Sequence, residues 1–343
     1  MCVIAAYLGD KPAAPMLLEM LEREEGLGGG FYTGVATVHE GKLHYAKVVG
    51  DVKALREQTD AMDLPGTLGI AHSRTPSGGG REWAHPFVGN AETMAYVANG
   101  AVGVFSDTTD YVRAGNLLLD RGYRFRSGVP ETVGNYPMLQ DGNSVHVSEV
   151  MCLQIEEYLR EGSDLLEAGA RTFQDWPSEI VGLTISADVP DSFVGLRINQ
   201  PLVLGHSDSA IYGATTEIAF PEGTQWRMVM PGNCAGRFSL SSFTLHPLTE
   251  IRIPAGPPPA LAAVVEAVTP VLQEQGICGL GNLCKAATAL RSEGHLGQEA
   301  LVAYQAIHRL LQQGKVELVT ERVPGMFGEG TVPRTRVKWI AEN

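Results

Sequence analysis

Apolar residues recur along the chain in two rhythms. Residues 3–7 (VIAAY) form an unbroken apolar run immediately after Cys2, the first strand candidate. Strand patterns return in GVATVHEGKLHYAKVVG, read as two strands joined at a Glu40-Gly41 turn, and in LGIAHSR and TMAYVANG. Residues 15–25 place Met16, Leu17, Met20 and Leu21 on one helical face, and glycines 28–30 would end that helix. Asp51 is placed to cap a helix running through Met62. Residues 109–121 and 148–160 read as amphipathic helices, the second capped by Ser148. Between them, 127–144 is loop-like and rich in Gly, Pro and Asn. From 179 to about 253 short strands dominate: IVGLTIS, SFVGLRI, PLVLG, SAIYGA, QWRMVM and TEIRI.

The rhythm breaks at AGPPPA (255–260), where three prolines interrupt any strand. Helical periodicity then covers 260–275, 280–291 and 296–313, followed by KVELVTERV and TRVKWIA on either side of a Gly-rich turn. The expected architecture is α+β: a domain over 1–254 with sheets covered by helices, then a small winged-helix-like domain over 255–343.

Composition supports a folded chain of this size. The 343 residues are 44% hydrophobic and 19% charged, enough for a large core and for two domains. Apolar runs are too short to cross a membrane, and MCVIAAYLGD lacks the basic leader of a signal peptide, so a cytoplasmic protein is expected. The net charge of −13 disfavours nucleic acid and anionic membranes. From Gly256 onward, 8 Lys and Arg balance 8 Glu, so the C-terminal region lacks the basic excess of a DNA reader; contact with protein is expected of it instead. The five cysteines (Cys2, Cys152, Cys234, Cys278, Cys284) show no CxxC pair. Reduced, mostly buried thiols are expected, with no metal and no cofactor. His295 and His308 are read as core or surface residues.

Cys2 stands apart by position. Removal of Met1 would leave a thiol and a free α-amine on one residue. With a pKa of about 8, that amine can act as a base near neutral pH, so one residue would supply both nucleophile and base. Taken alone, Cys2 reads more readily as a small buried residue before a strand. Three later segments add chemistry. HSRTPSGG sets an arginine, suited to carboxylate recognition, beside a glycine-rich loop. AHPF places a histidine in a turn. ANG offers the Asn99 amide and the Gly100 N–H as oxyanion donors.

In this order, MCVIAAY, GIAHSR, WAHPF and ANG resemble the glutaminase domain of class-II glutamine amidotransferases, most closely that of glucosamine-6-phosphate synthase. RGYRF, SEVMCLQIEEYL and FVGLRINQPLVLG extend the resemblance over roughly the first 250 residues. It implies a four-layer αββα N-terminal-nucleophile hydrolase sandwich with the cysteine at the end of a central strand. It further implies Cys2 as nucleophile, Asn99 and Gly100 as oxyanion hole, and Arg74, Ser77 and His85 as substrate-pocket residues, His85 in support. The implied activity is release of ammonia from glutamine through a Cys2 thioester. The implied partners are glutamine or a glutamine-like amide and a separate ammonia-accepting subunit, sugar-phosphate isomerase-type or other. Fewer than a hundred residues follow, so the synthase's isomerase domain is not in this chain. A homodimer is a further expectation.

Three positions depart from the family. Thr75 replaces a tryptophan, Ala98 a histidine, and Val147 the aspartate that binds the substrate's α-ammonium. Without that carboxylate, free glutamine loses a charge-assisted bond of roughly 1.5–3 kcal/mol. Glu131 or Asp141 in the preceding loop is a candidate replacement. Two alternatives therefore stay open: hydrolysis of a different amide, and a non-catalytic regulatory or scaffold protein acting through its C-terminal domain.

Overall fold

The computed structural model describes residues 1–76, 78–101, 108–251, 257–290, 298–326 and 330–340. Strand β1 (Val3–Gly9) is buried on both faces, as its unbroken apolar run requires. Helix α1 (Ala13–Glu24) follows and packs its Leu17, Leu18 and Leu21 face inward. Next come β2 (Tyr32–His39), β3 (Lys42–Val49), α2 (Val52–Gln58) and β4 (Leu68–Arg74). The chain continues through β5 (Phe87–Val88), β6 (Met94–Ala101), α3 (Thr108–Asp120), α4 (Val147–Arg160) and α5 (Leu165–Asp175). Seven strands then run in succession: β7 (Glu179–Ser186), β8 (Val189–Arg197), β9 (Val203–Ser207), β10 (Ala210–Ala214), β11 (Trp226–Val229), β12 (Cys234–Phe238) and β13 (Phe243–Pro247).

These strands form two antiparallel sheets. One has the order β11-β9-β10-β1-β4-β2-β3, the other β13-β12-β8-β7-β6-β5. One apolar core lies between them, built from residues such as Ile4, Ala6 and Ile70 on the first sheet and Val97, Leu183 and Phe193 on the second. A second core joins the outer face of the first sheet to α1 and α2. A third joins the second sheet to α3, α4 and α5. Sheets covered by helices on both outer sides result, with β1 near the middle of the first sheet and Cys2 at its N-terminal end.

Local expectations need several corrections. Asp51 does cap α2, accepting from the Ala54 N–H at 2.9 Å, but α2 stops at Gln58 and not at Met62. There Thr59 turns its hydroxyl onto the Leu55 carbonyl, and that hydroxyl then accepts from the Ala61 N–H, which closes the helix. Ser148 lies inside α4; the cap is His146, whose Nδ1 accepts from the Ser148 N–H. Helix α5 was not foreseen. TEIRI is no strand over its described residues, whereas the unforeseen β12 and β13 extend the second sheet.

The C-terminal region comprises α6 (Leu261–Gln275), β14 (Ile277–Cys278), α7 (Leu280–Thr288), α8 (Glu299–Gln312), β15 (Val316–Pro324) and β16 (Thr331–Trp339). Its sheet has the order β14-β16-β15. Its core takes in Leu27 from the first 254 residues, while Leu301 of α8 joins the core beneath α1. Polar bonds reinforce this seat. The Thr335 N–H donates to the Gly26 carbonyl at 3.0 Å, Arg322 pairs with Asp51 at 2.6 Å, and buried Arg197 donates to the Gln298 side chain at 2.6 Å. The expected boundary between 254 and 255 lies outside the described residues, as does His295.

Candidate active site

The N-terminus is held by a glycine turn. The Gly29 N–H donates to the Met1 carbonyl at 2.8 Å. A side chain at Gly29 would need φ near +75° and would bring its Cβ within 2.6–2.9 Å of Ser73. Ser73 accepts from the Gly30 N–H at 2.7 Å and donates to Glu25 Oε1 at 2.7 Å. Glycines 28–30 therefore seat the start of β1 against β4, whereas α1 itself has already ended at Glu24. Burial pushes the Glu25 carboxyl up to about 8, opposed by the Ser73 hydrogen bond.

From this seat the Cys2 thiol faces a cavity of about 260 Å³, lined by Arg74, Thr75, His85, Ala98, Gly100, Asn135, Tyr136, His146, Val147, Ser148, Ser178 and Ile180 as well as Cys2. Thr75 meets the sulfur twice: its N–H donates to Cys2 Sγ at 3.4 Å, and its hydroxyl lies 3.4 Å from the same atom. Asn99 is buried and donates through Nδ2 to the Cys2 carbonyl at 2.5 Å. An amide nitrogen carries two hydrogens, so this bond leaves one for another acceptor. Gly100 follows on the same strand and lines the cavity.

Arg74 ends β4 and is buried. Its guanidinium donates to the Trp83 carbonyl at 2.8 Å and the Gly78 carbonyl at 3.3 Å, and lies 4.6 Å over the Tyr32 ring. Cys2, Arg74, His85 and Gly100 all line one cavity, and Asn99 touches Cys2. Ser77 lies outside the described residues.

Three histidines cluster behind this arrangement. His72 donates from Nε2 to the Ala98 carbonyl at 2.9 Å, a bond that ties the first sheet to the second. His85 stacks on His72 with centroids 3.9 Å apart, and His146 meets His85 edge-on at 5.2 Å. Burial, then the Arg74 charge, pushes His72 down to about 3. Burial likewise holds His85 and His146 well below the ordinary imidazole value, with Arg74 and Lys47 adding to it. All three are neutral at pH 7. His146 uses Nδ1 as an acceptor, so its proton sits on Nε2, facing the Tyr136 hydroxyl at 3.4 Å. Among the described residues, neither ring nitrogen of His85 has a hydrogen-bond partner.

The carboxylates expected to replace the missing aspartate are elsewhere. Glu131 is exposed and does not line the cavity. Asp141 is exposed and binds the backbone and side chain of Asn143. Val147 itself lines the cavity, at the start of α4. Sequence reasoning did not single out Asn135, Tyr136 or His146; an asparagine and an aromatic inside a Gly- and Pro-rich loop were the available signal. Among the described residues no group of three His, Cys, Asp or Glu is placed to hold a metal. A larger groove of about 580 Å³, near Glu156 and Arg160, shares none of its described lining residues with the Cys2 cavity, and none of these is a cysteine or histidine.

No protein-family model matches the chain. It is 29% identical over 236 residues to glutamine–fructose-6-phosphate aminotransferase (isomerizing) of Thermosynechococcus vestitus, covering 67% of this chain and 34% of that one. The protein of the same name from Methanothermobacter thermautotrophicus is 30% identical over 218 residues, covering 63% and 33%. The chain thus spans about a third of the length of these curated relatives. Among solved structures, the fold is similar to that of glutamine phosphoribosylpyrophosphate amidotransferase from B. subtilis, with a TM-score of 0.60 at 14% identity over 95% of this chain and 68% of that chain. These relatives bear out the resemblance to glutamine amidotransferases and to the glucosamine-6-phosphate synthase kind among them. Among the described residues no helix is long and apolar enough to cross a membrane.

Proposed function

We propose that this chain is an amidohydrolase of the glutamine amidotransferase type, cleaving a glutamine-like side-chain amide through a Cys2 thioester. The observation that supports this most is the Cys2 sulfur at a small cavity, bonded by the Thr75 N–H, with Asn99 on the Cys2 carbonyl and Arg74 lining the same space. Once Met1 is removed, the Cys2 α-amine accepts the thiol proton as sulfur attacks the amide carbon. Gly100 N–H and the second Asn99 amide hydrogen stabilise the oxyanion. The C–N bond then breaks, the ammonium returns the proton to the departing nitrogen, and ammonia leaves a Cys2 thioester. Water, deprotonated by the same amine, cleaves the C–S bond and releases the acid. Arg74, Ser77 and His85 bind and shape the substrate.

The relatives' names pair glutamine with an acceptor sugar phosphate. By analogy, the ammonia passes to a separate subunit. We read residues 1–254 as the hydrolase domain and 255–343 as a winged-helix-like domain used for protein contact, consistent with its balanced charge.

Mass spectrometry of the natively purified protein, before and after treatment with the glutamine-mimic electrophile diazo-oxo-norleucine, tests the proposal. The expected result is loss of Met1 and a single adduct absent from Cys2→Ala. Retained Met1 together with an unlabelled Cys2 sinks the proposal and favours a non-catalytic role.

A further inference from the structure

Two donors of one residue, Thr75, converge on the Cys2 sulfur, and local structure puts them there. Strands β1 and β4 pair with Val3 opposite Ser73, so the residue before Val3 reaches the end of β4, with Thr75 just beyond. The Arg74 carbonyl accepts from the Phe31 N–H at 3.0 Å, which holds the backbone on one side of Thr75. Pro76 restricts it on the other, because a residue before proline favours extended backbone. Thr75 is also β-branched, so its side chain has little rotamer freedom. Its N–H donates to Cys2 Sγ at 3.4 Å, and its hydroxyl, which can donate or accept, lies 3.4 Å from the same atom. Both residues line the same cavity. The resemblance places a tryptophan at position 75, so the hydroxyl is a feature of this chain's own sequence.

Charge develops on that sulfur at a definite stage. While the thioester stands, sulfur is neutral and a weak acceptor. Once water has added to the acyl carbon, the C–S bond breaks and its electron pair returns to sulfur. Sulfur is then a thiolate until the Cys2 α-ammonium returns a proton to it. Donors fixed in advance on the atom where charge develops lower the barrier to such a step. A bond to an ionised acceptor is also about twice as strong as a neutral one. We infer that Thr75 is a further catalytic residue: its hydroxyl, together with its N–H, holds the Cys2 sulfur and takes up the negative charge as the thioester is hydrolysed.

This role rests on the amidohydrolase reading, and one experiment separates their failures. Thr75→Val keeps the N–H and the branched shape and removes the hydroxyl, whereas Thr75→Ser keeps the hydroxyl. Ammonia release is measured with the full chain, Met1 removed, on glutamine and N-acetylglutamine, with Cys2→Ala as background. Samples quenched in acid during turnover are weighed by intact-protein mass spectrometry. Thr75→Val should lower kcat by about tenfold or more, the scale of one hydrogen bond to a charged group. KM should be unchanged or lowered, since the hydroxyl bonds sulfur and not the substrate. The acyl thioester should accumulate on Thr75→Val, and Thr75→Ser should recover most of the rate. A Thr75→Val kcat equal to that of wild type, or a Thr75→Ser protein as slow as Thr75→Val, overturns the role of the hydroxyl and leaves the amidohydrolase reading standing. So does a slow Thr75→Val that carries no more thioester than wild type. If the wild type shows no Cys2-dependent ammonia release from either glutamine or N-acetylglutamine, both fall.

Discussion

Replacing Glu25 by Gln tests how the fold holds the N-terminal seat. Glu25 is 7% exposed, accepts from Ser73 at 2.7 Å and from the Val52 N–H at 3.1 Å, and is pushed up to about 8, chiefly by burial. A carboxyl raised in the folded state binds its proton more tightly there than in the unfolded chain. Its contribution to stability is therefore fully present below about pH 4.5 and is lost as pH rises toward 8. At about 1.4 kcal/mol per unit, that displacement is worth roughly 3–5 kcal/mol across the window. Glutamine keeps the shape and an acceptor but has nothing to ionise. Urea unfolding of both proteins at pH 5 and pH 8 isolates the effect, since every other titrating group is common to both. The wild type should lose stability relative to Glu25→Gln between the two pH values, by an amount on this scale. Equal pH slopes, or a wild type that gains on the variant as pH rises, would refute the account of Glu25 as a buried, largely protonated acid.

Other substitutions probe the site itself. Asn99→Ala should lower kcat by about 10²–10³ if its second amide hydrogen serves the oxyanion, and should cost about 1–3 kcal/mol of stability because the Cys2 carbonyl loses its donor; steady-state ammonia release and urea unfolding read the two effects separately. Arg74→Lys keeps the charge but cannot reproduce the bonds to the Trp83 and Gly78 carbonyls or the stacking on Tyr32, so KM should rise by about tenfold or more. Gly29→Ala forces a side chain into left-handed backbone against Ser73 and should destabilise the chain by roughly 1–3 kcal/mol in urea unfolding.

Much of the architecture was legible because it is local. An unbroken apolar stretch predicts β1, the shared face of Met16, Leu17, Met20 and Leu21 predicts α1, the amphipathic pattern of 148–160 predicts α4, and the Asp51 cap predicts the start of α2. Misreadings arose where tertiary packing decides. Helix α5 carries a mid-helix Gly169 that weakens its periodic signal, yet a Cβ at that glycine would come within 2.9 Å of Leu196 on β8. The clue to its start was present: Asp164 accepts from the Glu167 N–H at 2.9 Å. The short, glycine-bearing β12 is a strand because β8 and β13 pair with it, not because its pattern alternates. In the site, Cys2, Arg74, His85, Asn99 and Gly100 could be named because each stands in or beside a strand-end motif. Tyr136 and His146 could not, since nothing in the sequence says that a distant loop and a helix start converge on Arg74. The reassignment of the helix cap from Ser148 to His146 has the same origin: an imidazole cap depends on a burial that only the folded chain provides.

The bond from Gly29 to Met1 also bears on the order of events in the life of the chain. The carbonyl it holds belongs to the peptide link whose cleavage the proposed mechanism requires to free the Cys2 amine. A processing peptidase acting on the finished fold would have to pull that carbonyl off its donor and lift the first residues from the glycine turn. Trimming is thus easiest on the nascent chain, before β1 is locked beside β4. Unprocessed protein that has already folded should resist the peptidase, and brief partial denaturation should restore cleavage. On the proposed mechanism, maturation then depends on whether the peptidase acts before that turn closes.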